Sequence, residues 1–543
     1  MTSHANDSTS SLILAEVDEN VPQKDISGDD DGCNYVTGRA LYLIFIGMAL
    51  STFLVNLEIT IVSTSLVSIT DEFHDFSRSS WIVTSYLITY TGGLVIWAKL
   101  SDFLGRKPTF VASLIIFCAF SGGCGVAQTM TQLIVFRAFQ GIGGGGIYAL
   151  TTVMLYELVE PPRYPFYSAL MTTMVALSSP LGPIFGGLIL QGASWRWVFL
   201  LNVPAAALAA GVVLVAVPHD FPNQGREKSH IPRRGLAAAD FTGAVLMLLA
   251  LALLIVAFEE AATNLSWATS TFIGPLCAAV VTLVAFLVRQ WHVSRPSSIV
   301  EAVLPWRFCR SRLIMGLLLS SFVTGAVSIT CINQLPIRYQ TAVGGSPLQA
   351  AIRLIPLAVS SPLGNMITAM AVKNWRIPPL YLSLVGQFLQ IIGLVFLSLG
   401  SPSDPDWHGL YGIEVVIGLG MGCNIGTAAL LTPWTVEKGD IAVGSAAVTQ
   451  FRFLGSAIVI AIITAVGNSW VRNVLLDRLT PLQVSAIFHS TGAIDDLPAT
   501  TETFVRGAFV ESFNLQMRVV LGFSVVGMLT WLLMWQKIQV RIP

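Results

Sequence analysis

Charge is what this 543-residue sequence has least of: Asp, Glu, Lys and Arg make up 11% of it, against about 25% in an ordinary soluble domain. Apolar residues reach 54%, and the mean hydropathy is +0.70. That excludes water as the solvent for most of the chain. The net charge of −1 supplies no electrostatic footprint for a nucleic acid. Seven cysteines form no C-x-x-C pair, and most sit inside apolar runs. They read as small packing residues rather than a disulfide or metal framework. No G-x-x-x-x-G-K-[ST] loop exists to cradle ATP, and no Ser/His/Asp set or metal-ligand spacing points to an enzyme. No basic segment followed by a short apolar core precedes a cleavage site, so no signal peptide is expected. Residues 1–38 are polar and acidic, with "SGDDDG" near their end, and are expected to be disordered.

Long apolar runs are what the chain has in abundance. A helix of about 20 residues crosses a hydrocarbon core of roughly 30 Å. Such runs stand near 40–66, 81–100, 108–127, 131–155, 166–190, 196–217, 238–258, 271–289, 313–334, 348–370, 378–399, 410–432, 442–466 and 515–536. An even number of spans puts both termini on one side. With the N-terminus inside, the inner loops include "KLSDFLGRK", "NQGREKSHIPRR" and "KNWR". That face then holds about 20 of the 30 basic residues, and the positive-inside rule makes it cytoplasmic. The opposite loop "EEAATNLSWATS" has no basic residue and carries the glycosylation sequon of Asn264.

The stretch "FRAFQGIGGGGIYAL" (136–150) places Gly141, Gly143 and Gly146 at dinucleotide-loop spacing, with Glu157 and Glu160 roughly 20 residues on. A nucleotide turn needs a strand before it, and here the glycines stand inside an apolar helix. Small residues at i and i+4 let helix backbones approach closely in a membrane, and the spacing recurs at Gly182/Gly186 and Gly418/Gly422/Gly426. These glycines are assigned to helix packing.

Four motifs carry candidate chemistry. In "AKLSDFLGRK" (98–107), Gly105 supplies a permissive turn between two helices. Asp102 is placed to accept from arginine or face a helix N-terminus, beside Arg106 and Lys107. In "LIVFRAFQGIGGG", Arg137 lies within a span, where a cation costs about 2.5–3.5 kcal/mol on insertion scales and needs a partner. In "SSPLGPIFGGLIL", Pro183 breaks a backbone hydrogen bond, while Gly182, Gly186 and Gly187 leave room for a neighbour. In "LEITIVSTSL" (57–66), Glu58 is the one carboxylate well inside a span; Glu414 is a few residues into its helix, and Glu259 and Glu260 sit at an outer rim. A carboxyl at that depth is a candidate to load and release protons. Polar residues Asn202, Asn333, Gln334, Asn365, Gln387, Gln390 and Asn424, and aromatics Tyr86, Tyr148 and Phe322, either line a cavity or pack helices; sequence alone does not choose.

Together these motifs resemble the major facilitator superfamily, within it the fungal-type 14-spanner drug:H+ antiporters. Leu100, Asp102, Gly105, Arg106 and Lys107 match the family's cytoplasmic loop, with Ala98 and Phe103 departing from it. Arg137, Gln140, Gly141 and Gly143 match its fourth-span motif. Gly182, Pro183, Gly186 and Gly187 match its antiporter signature, with Ser178 in place of a glycine. Thr60 matches its first-span motif, with Glu58 where Asp is usual. The resemblance implies an all-α membrane protein of two six-helix bundles, 39–217 and 312–537, joined by cytoplasmic loops and two linker spans in 218–311, with cytoplasmic tails at 1–38 and 538–543.

It further implies alternating access: export of small organic molecules such as drugs, toxins or secondary metabolites in exchange for protons. On that resemblance Glu58 is the expected proton carrier, Arg137 the residue that biases it, and the 102–107 loop a gating latch. No cofactor, ATP or nucleic acid is expected, and the partners are substrate, protons and lipid around a monomer. The rival readings are a symporter importing a nutrient or siderophore and a non-transporting sensor. The plasma membrane is the expected location, with the vacuole as the alternative.

Overall fold

The computed structural model describes residues 38–159, 163–218, 221, 240–264, 269–295, 300, 302–304, 306–401, 409–436, 441–489, 491–537 and 539, apart from some side chains within the helices. The expected tails, most of the 218–239 loop, Glu160, and Leu265 and Ser266 of the sequon lie outside these residues. Asn264 and Asp102 are placed in helices, but their side chains are outside the description.

Every regular element among the described residues is helical. In chain order these are α1 (Arg39–Phe73), α2 (Ser79–Leu104), α3 (Arg106–Val126), α4 (Met130–Leu158), α5 (Tyr164–Gly192), α6 (Arg196–Leu200) and α7 (Asn202–Ala216). Next come α8 (Phe241–Asn264), α9 (Ser270–Val293), α10 (Trp306–Arg310), α11 (Arg312–Thr341), α12 (Pro347–Arg353) and α13 (Ile355–Trp375). The chain closes with α14 (Pro379–Leu397), α15 (Leu410–Thr435), α16 (Ile441–Leu476), α17 (Pro481–His489) and α18 (Ala499–Leu533), and 3₁₀ turns follow α1 and α17. Twelve stretches among the described residues are long and apolar enough to cross a membrane, with α6–α7 and α12–α13 each counting as one. The protein is a multi-pass membrane protein. Two further helices, α2 and α5, are 26 and 29 residues long and pack on α4 and α1.

Helices α1–α7 pack on one another, as do α11–α18, and the two groups meet where α1 touches α11, α2 touches α16, and α5 touches α12 and α13. Helix α8 lies outside this pair, against α2 and α16, and carries α9 on its far side.

Four details depart from the hydropathy reading. The sixth and tenth spans are broken, at Leu201 and Leu354. Pro356, in the first turn of α13, has no N–H to continue the earlier helix. Helix α8 runs past 258 through Glu259 and Glu260 to Asn264, because glutamate and alanine hold a helix beyond the apolar limit. Most of the expected loop after 466 is helical too. α16 continues to Leu476 and α18 begins at Ala499; with α17 they bury Val471, Leu475, Val484, Ile487 and Val505 in a separate cluster. Hydropathy marks the lipid-facing length of a helix, not its full extent.

The glycine rows do what close packing requires. On α4, a Cβ at Gly143 would lie 2.5 Å from the Phe117 nitrogen and 2.8 Å from the Ser113 carbonyl of α3, while Gly141 abuts the Tyr86 carbonyl of α2. No strand precedes them among the described residues, which leaves the dinucleotide reading without its scaffold. On α5, Gly182 abuts Thr60, and a Cβ at Gly186 would lie 2.8 Å from the Ile61 carbonyl, both on α1. Gly187 faces α12 instead, where a Cβ would be 2.8 Å from the Ala351 Cβ. Because rigid backbone stands opposite Gly186, Gly186→Leu should cost about 1–3 kcal/mol by overpacking. The expected result is a clear fall in thermal unfolding temperature in detergent. Gly211→Leu, where nothing lies within 4 Å, serves as the control and should be silent. Equal melting of the two variants would refute the close-packing account.

Candidate functional site: a buried ion pair behind a central cavity

Glu58 and Arg137, 79 residues apart in sequence, meet inside the first helix group. Arg137 Nη1 donates to Glu58 Oε1 at 2.5 Å, with the side chains 1% and 0% exposed. The other carboxylate oxygen, Oε2, accepts from Asn202 Nδ2 of α7 at 2.5 Å. Arg137 also donates through Nη1 to Gln140 Oε1 at 2.7 Å and through Nε to the Ile82 carbonyl at 3.0 Å. Gln140 Nε2 in turn donates to Ser121 Oγ at 2.6 Å. The Tyr86 ring lies under the guanidinium, 4.3 Å from its carbon, and Phe199 is 5.6 Å away. Helices α1, α2, α3, α4, α6 and α7 thus all contribute. A snorkelling arginine, aimed at an interface, is inconsistent with this geometry.

A cavity of about 1120 Å³ lies between the two helix groups. Helix α1 turns Thr52, Asn56, Ile59 and Thr60 to it, a face spaced at i, i+4, i+7 and i+8. Glu58 is on the opposite face, so ion pair and cavity are separated by the thickness of one helix. The cavity extends to the end of the helices marked by Arg106, Glu157, Arg295 and Arg307. At the other end the groups close on each other. Gln340 Nε2 donates to the Thr64 carbonyl at 3.4 Å, Phe76 and Phe509 rings stand 6.4 Å apart, and His489 Nδ1 is 2.7 Å from the His74 carbonyl.

The polar residues left open by sequence now divide. Asn365, Asn424 and Tyr148 line the central cavity. Asn333 and Gln334 line a second cavity of about 40 Å³ at the closed end. Asn202 belongs to the ion pair and Tyr86 stacks on it. Gln387 joins helices, donating to the Ser524 carbonyl at 2.8 Å and accepting from Asn424 at 3.0 Å.

The 102–107 loop turns at Gly105, whose φ is +90°. Arg106 holds both Glu157 oxygens, with distances of 2.5 to 3.1 Å, and donates through Nη1 to Ser101 Oγ at 2.5 Å. Lys107 Nζ donates to the Val217 carbonyl just past α7, at 2.6 Å. These partners all lie on the first helix group. Glu157, seen in the sequence only at a ribose-binding spacing, is the carboxylate that takes Arg106. Glu414, which the sequence places only a few residues into its helix, is a second deeply buried carboxylate. It is fully buried on α15 and accepts from the Tyr339 hydroxyl of α11 at 2.7 Å. It stands four residues before Gly418, as Arg137 stands four before Gly141, and that repeat was a legible signal.

Breaking a buried pair from one side leaves a stranded charge, at a cost of about 3–5 kcal/mol. Arg137→Met should therefore lower the unfolding temperature sharply, and Glu58→Gln in the same chain should recover part of the loss. Strictly additive losses in the double variant would show that the two residues do not act as a pair.

The sequence matches the Major Facilitator Superfamily over residues 48–460. It is 37% identical to the MFS-type transporter FPY5 of Fusarium mangiferae, across 94% of this chain and 86% of that protein. It is 27% identical to the MFS-type efflux pump LUC4 of Fusarium sp, across 93% and 90%, and to Multidrug resistance protein 3 of Bacillus subtilis strain 168, across 86% of each. Among solved structures it resembles a bacterial homolog of the human lysosomal transporter Spinster in its inward-facing, unoccupied conformation. That match has a TM-score of 0.63 and 14% identity, covering 93% of this chain and all of that one. A helix-lined cavity between two groups of helices, with a matching sequence across most of the chain, leads to one conclusion: the chain belongs to the Major Facilitator Superfamily.

Proposed function

We propose that this protein exports small organic molecules in exchange for protons, by alternating access, and performs no chemical transformation on them. The observation that carries the reading is the separation of a buried Glu58–Arg137 pair from a large cavity by one helix. Proton and substrate then occupy different places, and α1, touching both, couples them. Proton loading of Glu58 frees Arg137 and alters how α1 packs; proton release restores the pair. Inward movement of each proton charge contributes about 2.3 kcal/mol per 100 mV. The G-P-x-x-G-G string of α5 lies at the seam with α1 and α12, where the two groups must rock. Relatives named as an efflux pump and a multidrug resistance protein support the outward direction.

The proposal includes fourteen membrane helices, made of the twelve apolar spans plus α2 and α5. Six-helix bundles fall at 39–217 and 312–537, with α8 and α9 as linker spans. Both termini lie in the cytoplasm, the cavity faces inward, and the protein works as a monomer in the plasma membrane. The loop at Asp102, Gly105, Arg106 and Lys107 steadies the cytoplasmic end of the first bundle and acts as a gate. Asn264 lies on the outer side as a glycosylation acceptor.

Two measurements test this. Tags at both ends should resist protease in sealed right-side-out vesicles; external cleavage of either tag would overturn the orientation. In proteoliposomes, Glu58→Gln keeps size and hydrogen bonding but cannot carry a proton. It should lose at least tenfold in gradient-driven flux, while substrate exchange without a gradient continues. Full gradient-driven flux in this variant would remove Glu58 from the proton path, and accumulation towards the cytoplasm would reverse the direction.

A further inference from the structure

The charged side chains of the central cavity are unevenly matched. Arg106, Arg295, Arg307 and Arg452 line it, and Glu157 is the one carboxylate that does so among the described residues. Arg106 already holds both oxygens of Glu157. Arg295 and Arg307 stand on the basic rim, where the positive-inside rule accounts for them. Arg452 has no such account. It lies eleven residues past the start of α16, about 16 Å along that helix at 1.5 Å per residue. No described carboxylate pairs with it, and its guanidinium carbon stands 5.2 Å from the Phe453 ring. Phe453 packs edge-on to Tyr90 at 4.6 Å and lies 6.5 Å from Tyr148, and both Phe453 and Tyr148 line the cavity.

A guanidinium at this depth is costly to strip of water without a counter-charge. When the bundles close around the cavity, an occupant bearing a carboxylate supplies that charge through a two-pronged hydrogen-bonded contact. We propose that Arg452 is the substrate's anion anchor and that the exported class is organic carboxylates with an apolar or aromatic body, which rests against Tyr148 and Phe453. This rests on the export reading above for its transport consequence, but not for binding.

Fluorescein and rhodamine 123 share a ring skeleton and differ in charge, so they serve as the probes. Equilibrium binding to purified protein is read by fluorescence anisotropy, and flux is read in proteoliposomes. Fluorescein should bind at least tenfold more tightly than rhodamine 123. Arg452→Gln should abolish that preference by weakening fluorescein tenfold or more, and Arg452→Lys should restore part of it in a comparably folded protein. Equal binding of the two dyes, no binding of fluorescein, or unchanged fluorescein affinity in Arg452→Gln would overturn the proposal. Charge-selective binding without flux would uphold the anchor and count against export. Flux indifferent to Arg452 would do the reverse.

Discussion

A single buried ion pair organises the first half of the molecule. Arg137 cannot lie inside an apolar bundle without a carboxylate, and Glu58 cannot lie there without donors. Satisfying both recruits Asn202, Gln140, Ser121, the Ile82 carbonyl and the Tyr86 ring. These groups come from helices far apart in sequence, so the pair specifies which helices adjoin as well as contributing to their association. It also sets a limit on change: a proton arriving at Glu58 disturbs every helix that supplies a partner. In the proposed cycle that gives a physical route from protonation to a bundle-wide rearrangement, with no direct contact between proton and substrate.

Close backbone approach is the second constraint, and it acts at the crossing of α5 with α1 and α12. Lipid tails are as apolar as leucine, so helices in a bilayer associate through fit rather than water exclusion. Gly182 and Gly186 seat α5 on α1, while Gly187 in the same helix meets α12 of the other group. One helix therefore carries an intra-bundle contact on one side and an inter-bundle contact on another. In the proposed cycle, the absence of a side chain on these glycines lets the second contact change while the first persists.

Between the bundles the chemistry reverses. The ion pair is buried, whereas the cavity is large, reaches one end of the molecule, and carries more arginine than carboxylate among its described lining. Glu58, paired with Arg137, lies behind α1, and Arg452, which no described carboxylate holds, lies in front of it. In the proposed cycle that separation allows a proton and a bound anion to be held by different residues of one protein.

The sequence by itself determined the solvent, the helical class and the identities of the intramembrane charges, because hydrophobic run length and rare ionisable residues are local properties. Glu58, Arg137 and the glycines of α4 and α5 were legible for that reason. So was the turn at Gly105, since a φ of +90° favours glycine whatever surrounds it. The partners were not legible. That Arg137 meets Glu58, that Glu157 takes Arg106, and that Glu414 is sealed by α11 depend on contacts across 79, 51 and 75 positions. Helix extent beyond the lipid-facing length, as in α16 and α18, likewise came from packing that hydropathy does not record. The clearest case is Arg452: in sequence it is one more arginine near the start of a span, and only the closure of two bundles around a common space leaves it facing a cavity without a described carboxylate to hold.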